Sequence, residues 1–252
     1  MGSSEQWVLD AGNSQLKFAQ ITTQGLGERW NIPSTPESLS GLTFADLSKN
    51  VPSGALPREL VYCSVIGRQL DPVLELFRSS SVQLSEVTAK VIENHGFNSQ
   101  ATGVGIDRLV TGFAAWRQFS QDLVVIDLGT ATTFDVISAE GCFLGGAIFP
   151  GVELCKRALI DHAEALKDVP LEFPEEIIGK NSSAAIRSGI LFGYTSLVET
   201  MLAKITASHG VPLLSIATGG LASLICRHIK DIKAIEPNLT LEGLAHVAKL
   251  GA

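Results

Sequence analysis

Residues 123–138 read LVVIDLGTATTFDVIS, and this stretch decides the fold. Leu123, Val124, Val125 and Ile126 form a continuous apolar run rich in the β-branched residues that suit a buried strand. Asp127 follows at the strand end, then Gly129 and the hydroxyls Thr130, Thr132 and Thr133. Alternation resumes through Phe134, Val136 and Ile137, so the stretch is expected to be strand, tight turn and antiparallel strand. Gly129 allows the backbone to approach a ligand closely. Turn N–H groups and threonine hydroxyls donate to phosphate oxygens, and a carboxylate at the tip holds the accompanying cation.

The plan recurs at the start of the chain. Residues 6–19, QWVLDAGNSQLKFA, run from an apolar strand through Asp10 and Gly12 to a polar Asn13-Ser14 turn and a second strand. Two Asp-x-Gly hairpins, one opening the chain and one near its middle, predict a duplicated lobe and a clamp on a polyphosphate.

Composition bounds the rest. The 252 residues suffice for one large domain or two lobes, with 45% hydrophobic and 18% charged residues. A net charge of -7 argues against a general nucleic-acid surface or an anionic-membrane surface. No apolar run approaches the roughly 18 residues of a membrane span. The beginning, MGSSEQWVLD, has no basic region leading into an apolar core, so no secretory signal is expected. Cys63, Cys142, Cys155 and Cys226 make no Cys-x-x-Cys pair and read as reduced thiols, as in a cytoplasmic protein. His95, His162, His209, His228 and His246 are scattered without metal-ligand spacing.

Outward from the hairpins, a short strand is expected near Arg29–Ile32, a helix over 40–50, a strand over 60–65, a helix from Asp71 and a strand over 87–92. Gly105-Ile106-Asp107-Arg108 precedes a helix running through Phe119. Taken alone, Asp107 is an acid in a first helical turn, where the helix dipole favours it. Gly145 to Gly151 is glycine-rich enough to read as a loop, followed by a helix over 152–165. Asn181, Ser182 and Ser183 are good capping types before a helix over 184–209. A strand over 213–217 ends in Thr218-Gly219-Gly220, a strand–glycine–helix junction of the kind that receives a nucleotide, and a last helix covers 241–250.

The ordered set Asp10–Ser14, Gly105–Arg108, Asp127–Thr133, Gly145–Gly151 and Thr218–Gly220 resembles the type III pantothenate kinases, in the superfamily of sugar and acetate kinases, actin and the heat-shock ATPases. The resemblance implies an α/β fold of two actin-like (ribonuclease H-like) lobes with mixed sheets, expected over 1–112 and 113–252, and ATP in the cleft. It implies phosphorylation of pantothenate to 4'-phosphopantothenate, the first step of coenzyme A synthesis, by a homodimer. Carried over by motif, Asp107 accepts the proton of the substrate hydroxyl, and Gly105, Ile106, Arg108 and Ser182 contact pantothenate. The same resemblance implies that Asp10, Ala11, Gly12, Asn13, Ser14, Gln15, Leu16 and Lys17 hold ATP, with Mg²⁺ at Asp10. It implies further that Thr130 contacts ATP and that Asp127 binds a monovalent cation, K⁺ or NH₄⁺. Family members carry a pocket tyrosine upstream of the Gly-x-Asp-Arg element; residues 95–102 here have none, so either Phe97 or a neighbour takes its place or the pocket, and with it the substrate, differs. The alternatives are a kinase of the same superfamily with another small acceptor and a non-catalytic nucleotide-binding regulator.

Overall fold

The computed structural model describes residues 6–48, 56–161 and 169–251. By contacts the chain divides into two compact units, residues 1–119 with 141–143 and 239–252, and residues 120–140 with 144–238.

The first unit begins with β1 (Gln6–Ala11), β2 (Gln15–Thr22) and β3 (Gly25–Pro33). Two short helices follow, α1 (Pro36–Ser40) and α2 (Phe44–Ser48), where one helix over 40–50 was expected. Thr35 caps α1, and the chain leaves the helix at Gly41; residues 49 and 50 lie outside the described residues. Next come β4 (Glu59–Ser64), α3 (Asp71–Ser79), β5 (Gln83–Glu86) and α4 (Ala89–Asn94). The strand expected over 87–92 is therefore displaced. Thr88 takes an extended backbone and accepts a hydrogen bond from Val91 N, which starts a helix where apolar alternation suggested a strand. β6 (Asn98–Ser99) and α5 (Ile106–Phe119) complete this part of the unit.

β1 and β2 are antiparallel, β1 and β4 parallel, and the five strands lie in the order β3-β2-β1-β4-β5. Central position explains why β1 is buried on both faces. Trp7, Leu9 and Ala11 pack with Phe18, Trp30 and Phe77 in one core, and Phe18 stacks on Trp30 at 5.3 Å between ring centroids.

The second unit opens with the hairpin expected from the sequence, β7 (Leu123–Leu128) and β8 (Ala131–Ile137). Next is β9 (Cys142–Pro150), a strand through the stretch expected to be a loop. The glycines there serve close packing: a Cβ on Gly146 would overlap the Phe134 carbonyl of β8. α6 (Val152–Asp161), α7 (Ser182–His209), β10 (Leu214–Thr218), α8 (Ala222–Ile225) and β11 (Ala234–Ile235) follow. The part of α6 expected beyond Asp161 lies outside the described residues.

These strands lie in the order β9-β8-β7-β10-β11, with β10 parallel to both β7 and β11, and β6 pairs in parallel with Cys142 and Phe143 of β9 as the sheet's sixth strand. Chain order 3-2-1-4-5 thus occurs in both units, which is the duplication the paired hairpins imply. Val124, Ile126, Leu128 and Phe134 pack under Leu191, Val198 and Leu202 of α7.

The last helix, α9 (Leu239–Leu250), returns to the first unit, where it packs on α5, β1 and β4. The expected boundary at 112/113 would cut α5, whose residues Leu109 to Ala115 are buried along one continuous helix. Contacts instead divide the chain at Phe119/Ser120 and return 239–252 to the first unit, because a helix that buries its apolar face on a sheet belongs to that sheet's core. Among the described residues no helix is long and apolar enough to cross a membrane.

Candidate active site

In the first unit the site is set by register. Asp10 on β1 faces Lys17 across β2 and Cys63 across β4. Lys17 Nζ lies 3.5 Å from Asp10 Oδ2, and the Cys63 thiol points at Asp10 Oδ1 with sulfur 3.9 Å away. Asp10 is only 5% exposed. Burial pushes its carboxyl above the usual range, the Lys17 ammonium pulls it back, and the negative charge of Asp107 pushes it up again. Burial, with Asp10 and Asp107 beside it, holds the Cys63 thiol well above its ordinary value and therefore protonated.

The turn that follows Asp10 is closed by Gly12 N–H donating to Gln15 O at 3.1 Å. Ser34, just after β3, donates its N–H to Ser14 O and its hydroxyl to Gly12 O, which leaves Asn13, Ser14 and Gln15 exposed at the tip. Of the stretch expected to hold ATP, Ala11 and Leu16 have fully buried side chains, so contacts from these two fall to the backbone.

Asp107 sits in the first turn of α5, and its Oδ1 accepts the Arg108 N–H at 2.8 Å. Gly105 makes this possible: a Cβ there would stand 2.5 Å from Asp107 Oδ1. The Arg108 guanidinium lies 5.5 Å from the centroid of the Phe143 ring. Asp10 and Asp107 thus act on each other electrostatically within one unit, a proximity that nearly a hundred intervening residues conceal in the sequence.

Phe97 does not line a pocket. It is 1% exposed and packs on Phe113 and Trp116, each 6.0 Å away between centroids, so it belongs to the core of the first unit. That corrects the expectation that Phe97 stands in for the pocket tyrosine.

In the second unit Thr218, at the end of β10, is the cross-strand partner of Asp127, at the end of β7. The next residue, Gly219, has φ +92°, and a Cβ on it would overlap Asp127 Oδ1. The Thr-Gly-Gly junction and the second hairpin are therefore one structure around the Asp127 carboxylate. The three hairpin hydroxyls divide their tasks. Thr133 donates to Asp135 at 3.0 Å, Thr132 is fully buried 2.5 Å from the Tyr194 hydroxyl, and Thr130 alone is exposed at the turn. Tyr194 also reaches Pro150 O at 2.8 Å, and Gly151 N–H donates to Thr130 O, so the end of β9 is tied to the hairpin tip. Ser182 is the first residue of α7 and is exposed, while Asn181 performs the cap by accepting from Ala184 N at 2.9 Å.

Sequence reading had no signal for Cys63 as a neighbour of Asp10 or for Gly219 as a neighbour of Asp127; both follow from parallel pairing of distant strands. Among the described residues no group of three or more His, Cys, Asp and Glu side chains gathers as a metal cluster.

Residues 7–204 match the family model for type III pantothenate kinase. Type III pantothenate kinases of Desulfosudis oleivorans and Acidiphilium cryptum are 36% and 35% identical to this chain, covering 94% and 96% of it and 96% and 93% of themselves. Solved structures under 25% identical share the fold alone. A Baf family protein of Campylobacter jejuni has TM-score 0.60 at 20% identity, over 97% of this chain and 98% of its own. The polyphosphate/ATP-glucomannokinase of Arthrobacter has TM-score 0.50 at 15% identity, over 99% and 100%. Sequence motifs, duplicated sheets and full-length likeness agree that the chain belongs to the type III pantothenate kinase family.

Proposed function

We propose that the chain transfers the γ-phosphoryl group of ATP to the primary hydroxyl of pantothenate, giving 4'-phosphopantothenate and ADP. The observation that carries the reading lies within the first unit, beside an exposed phosphate-type hairpin: the Asp10–Lys17 pair at the end of β1, and Asp107 meeting Val65 around Gly105, where Val65 N–H donates to Ala11 O at 3.1 Å. Asp107 takes the hydroxyl proton, the freed oxygen bonds to the γ-phosphorus, and the bond to the bridging oxygen breaks as ADP leaves. Gly105, Ile106 and Arg108 border that carboxylate and, with Ser182, are assigned to pantothenate. The backbone from Asp10 to Lys17, and Thr130 in the second unit, are assigned to ATP.

Mg²⁺ needs only one or two carboxylates when phosphates supply the remaining oxygens, and buried Asp10 fits that description. Bound there, a cation would supply the positive charge that developing phosphate charge requires. Asp127, hemmed in by the Cβ-free surface of Gly219, is assigned to K⁺ or NH₄⁺. Exposed Ile148, Phe149, Leu154 and Leu159 on β9 and α6 support a homodimer. The four cysteines are free thiols, in keeping with a cytoplasmic enzyme. The presence of all three carboxylates, Asp10, Asp107 and Asp127, weighs against a non-catalytic regulator.

The test is ATP-dependent phosphorylation of pantothenate by the purified protein, with potassium and with sodium alone. Product that depends on potassium is expected. Bound ATP without product under either condition would reassign the acceptor, and equal rates in the two salts would remove the role of Asp127.

A further inference from the structure

Behind Asp107 lies a buried pair of hydroxyls. Thr111, one helical turn after Asp107, is 3% exposed, and Thr240 on α9 is 9% exposed. Thr111 Oγ1 donates to the Asp107 carbonyl at 2.7 Å and lies 2.7 Å from Thr240 Oγ1. A hydroxyl has one proton. Since the carbonyl only accepts, the Thr111 proton goes to Asp107 O, and the bond between the two threonines uses the proton of Thr240. The chain of donors is Thr240 O–H to Thr111 Oγ1, and Thr111 O–H to Asp107 O=C.

A side chain bonding to the carbonyl four residues before it competes with the helix ladder and bends a helix slightly. Here that bond lies in the turn that carries Asp107 and Arg108. The helices meet tightly beside it: a Cβ on Gly243 would stand 2.5 Å from Val110 O. A glycine on α9 and a hydroxyl relay from α9 therefore both bear on the first turns of α5. The Asp107 side chain is set at its front by Arg108 N–H and the gap at Gly105, while its backbone is set from behind by α9.

We propose that Thr111 and Thr240 are positioning residues for phosphoryl transfer, a buried relay through which the C-terminal helix holds the Asp107 backbone in the register that aims its carboxylate at the substrate hydroxyl. The proposal rests on Asp107 as proton acceptor. It gives the last helix, which lies outside the residues matched by the family model, a part in the chemistry.

The experiment compares Thr111→Val, Thr240→Val, their double variant, the serine variants at both positions, and Asp107→Asn. Valine keeps the shape and removes the hydroxyl, and loss of both partners together leaves no unpaired group. A displacement of about 1 Å in a reacting group costs on the order of 100-fold. A turn loosened by less than that is expected to lower kcat by about tenfold, with ATP binding unchanged. Serine at either position, which keeps the hydroxyl, is expected to restore turnover, and the double valine variant is expected to be no slower than the worse single one, because the relay breaks only once.

Turnover of Thr111→Val within about twofold of wild type, or a loss that serine does not recover, would overturn the proposal. If a valine variant fails to fold, Thr240→Ser decides, since a tenfold loss with the hydroxyl retained contradicts the relay. Full activity of Asp107→Asn would overturn the base assignment itself. An inactive Asp107→Asn beside an unimpaired Thr111→Val would overturn only the relay.

Discussion

Replacing Gly219 by alanine tests whether the end of β10 and the Asp127 carboxylate form one structure. Gly219 has φ +92°, where an L-residue costs about 1–2 kcal/mol. Its added Cβ would overlap Asp127 Oδ1 and stand 2.6 Å from the carbonyl carbon and 2.7 Å from the nitrogen of Leu128, inside the 3.0 Å that Cβ atoms keep from other heavy atoms. Both obstacles belong to β7, a central strand that cannot give way without disturbing β8 and β10. Overpacking of this kind adds about 1–3 kcal/mol, for a sum of about 2–5 kcal/mol. For a chain of this size that is a fall of roughly 4–20 °C in Tm. Gly220 is the control. An added Cβ there meets nothing within 4 Å, and Gly220→Ala is expected to stay within about 0.5 kcal/mol of the parent. The assay is thermal unfolding of both variants side by side, followed by the potassium dependence of turnover. Midpoints for the two variants within about 2 °C of each other would refute the account of a carboxylate packed against Gly219.

Two further outcomes follow from buried polar groups. Asp10 has a folded pKa above its ordinary 3.8, so the folded chain holds that proton more tightly than the unfolded chain does. The charged form therefore costs stability, and the cost grows as pH rises from 3.8 through the folded value. Asp10→Asn is expected to raise Tm of the ligand-free protein at neutral pH while abolishing the further rise that Mg²⁺ and ATP give the parent; a lower ligand-free Tm at neutral pH would contradict this. Tyr194→Phe strands the fully buried Thr132 hydroxyl, a loss of about 1–3 kcal/mol. Denaturant unfolding measures it, and a variant as stable as the parent would show that the bridge carries no net energy.

The elements legible beforehand are those whose causes are local. Both Asp-x-Gly hairpins stand where apolar strand, glycine turn and second strand placed them, and α5, α7 and α9 end within two residues of their expected limits. The misreadings have a common origin. Residues 87–92 and 145–151 carry patterns compatible with more than one state, and the choice was made by a cap at Thr88 and by the approach of β8 to Gly146. Phe97 was one of the residues expected to line the pocket, but whether an aromatic ring lines a pocket or fills a core depends on neighbours such as Trp116.

By itself the sequence determined the kind of fold, the order of the motifs and the residue types of the site, because strand periodicity, turn glycines and helix caps act over a few residues. Only the tertiary structure decided that Asp10 faces Lys17 and Cys63, that Gly219 closes on Asp127, and that Thr240 reaches Thr111. The same holds for the division of the chain, which follows α9 back to the first sheet. Those pairings join residues far apart in the chain. They depend on strand register and helix packing, which are settled by burial of whole faces and leave no mark on either partner alone.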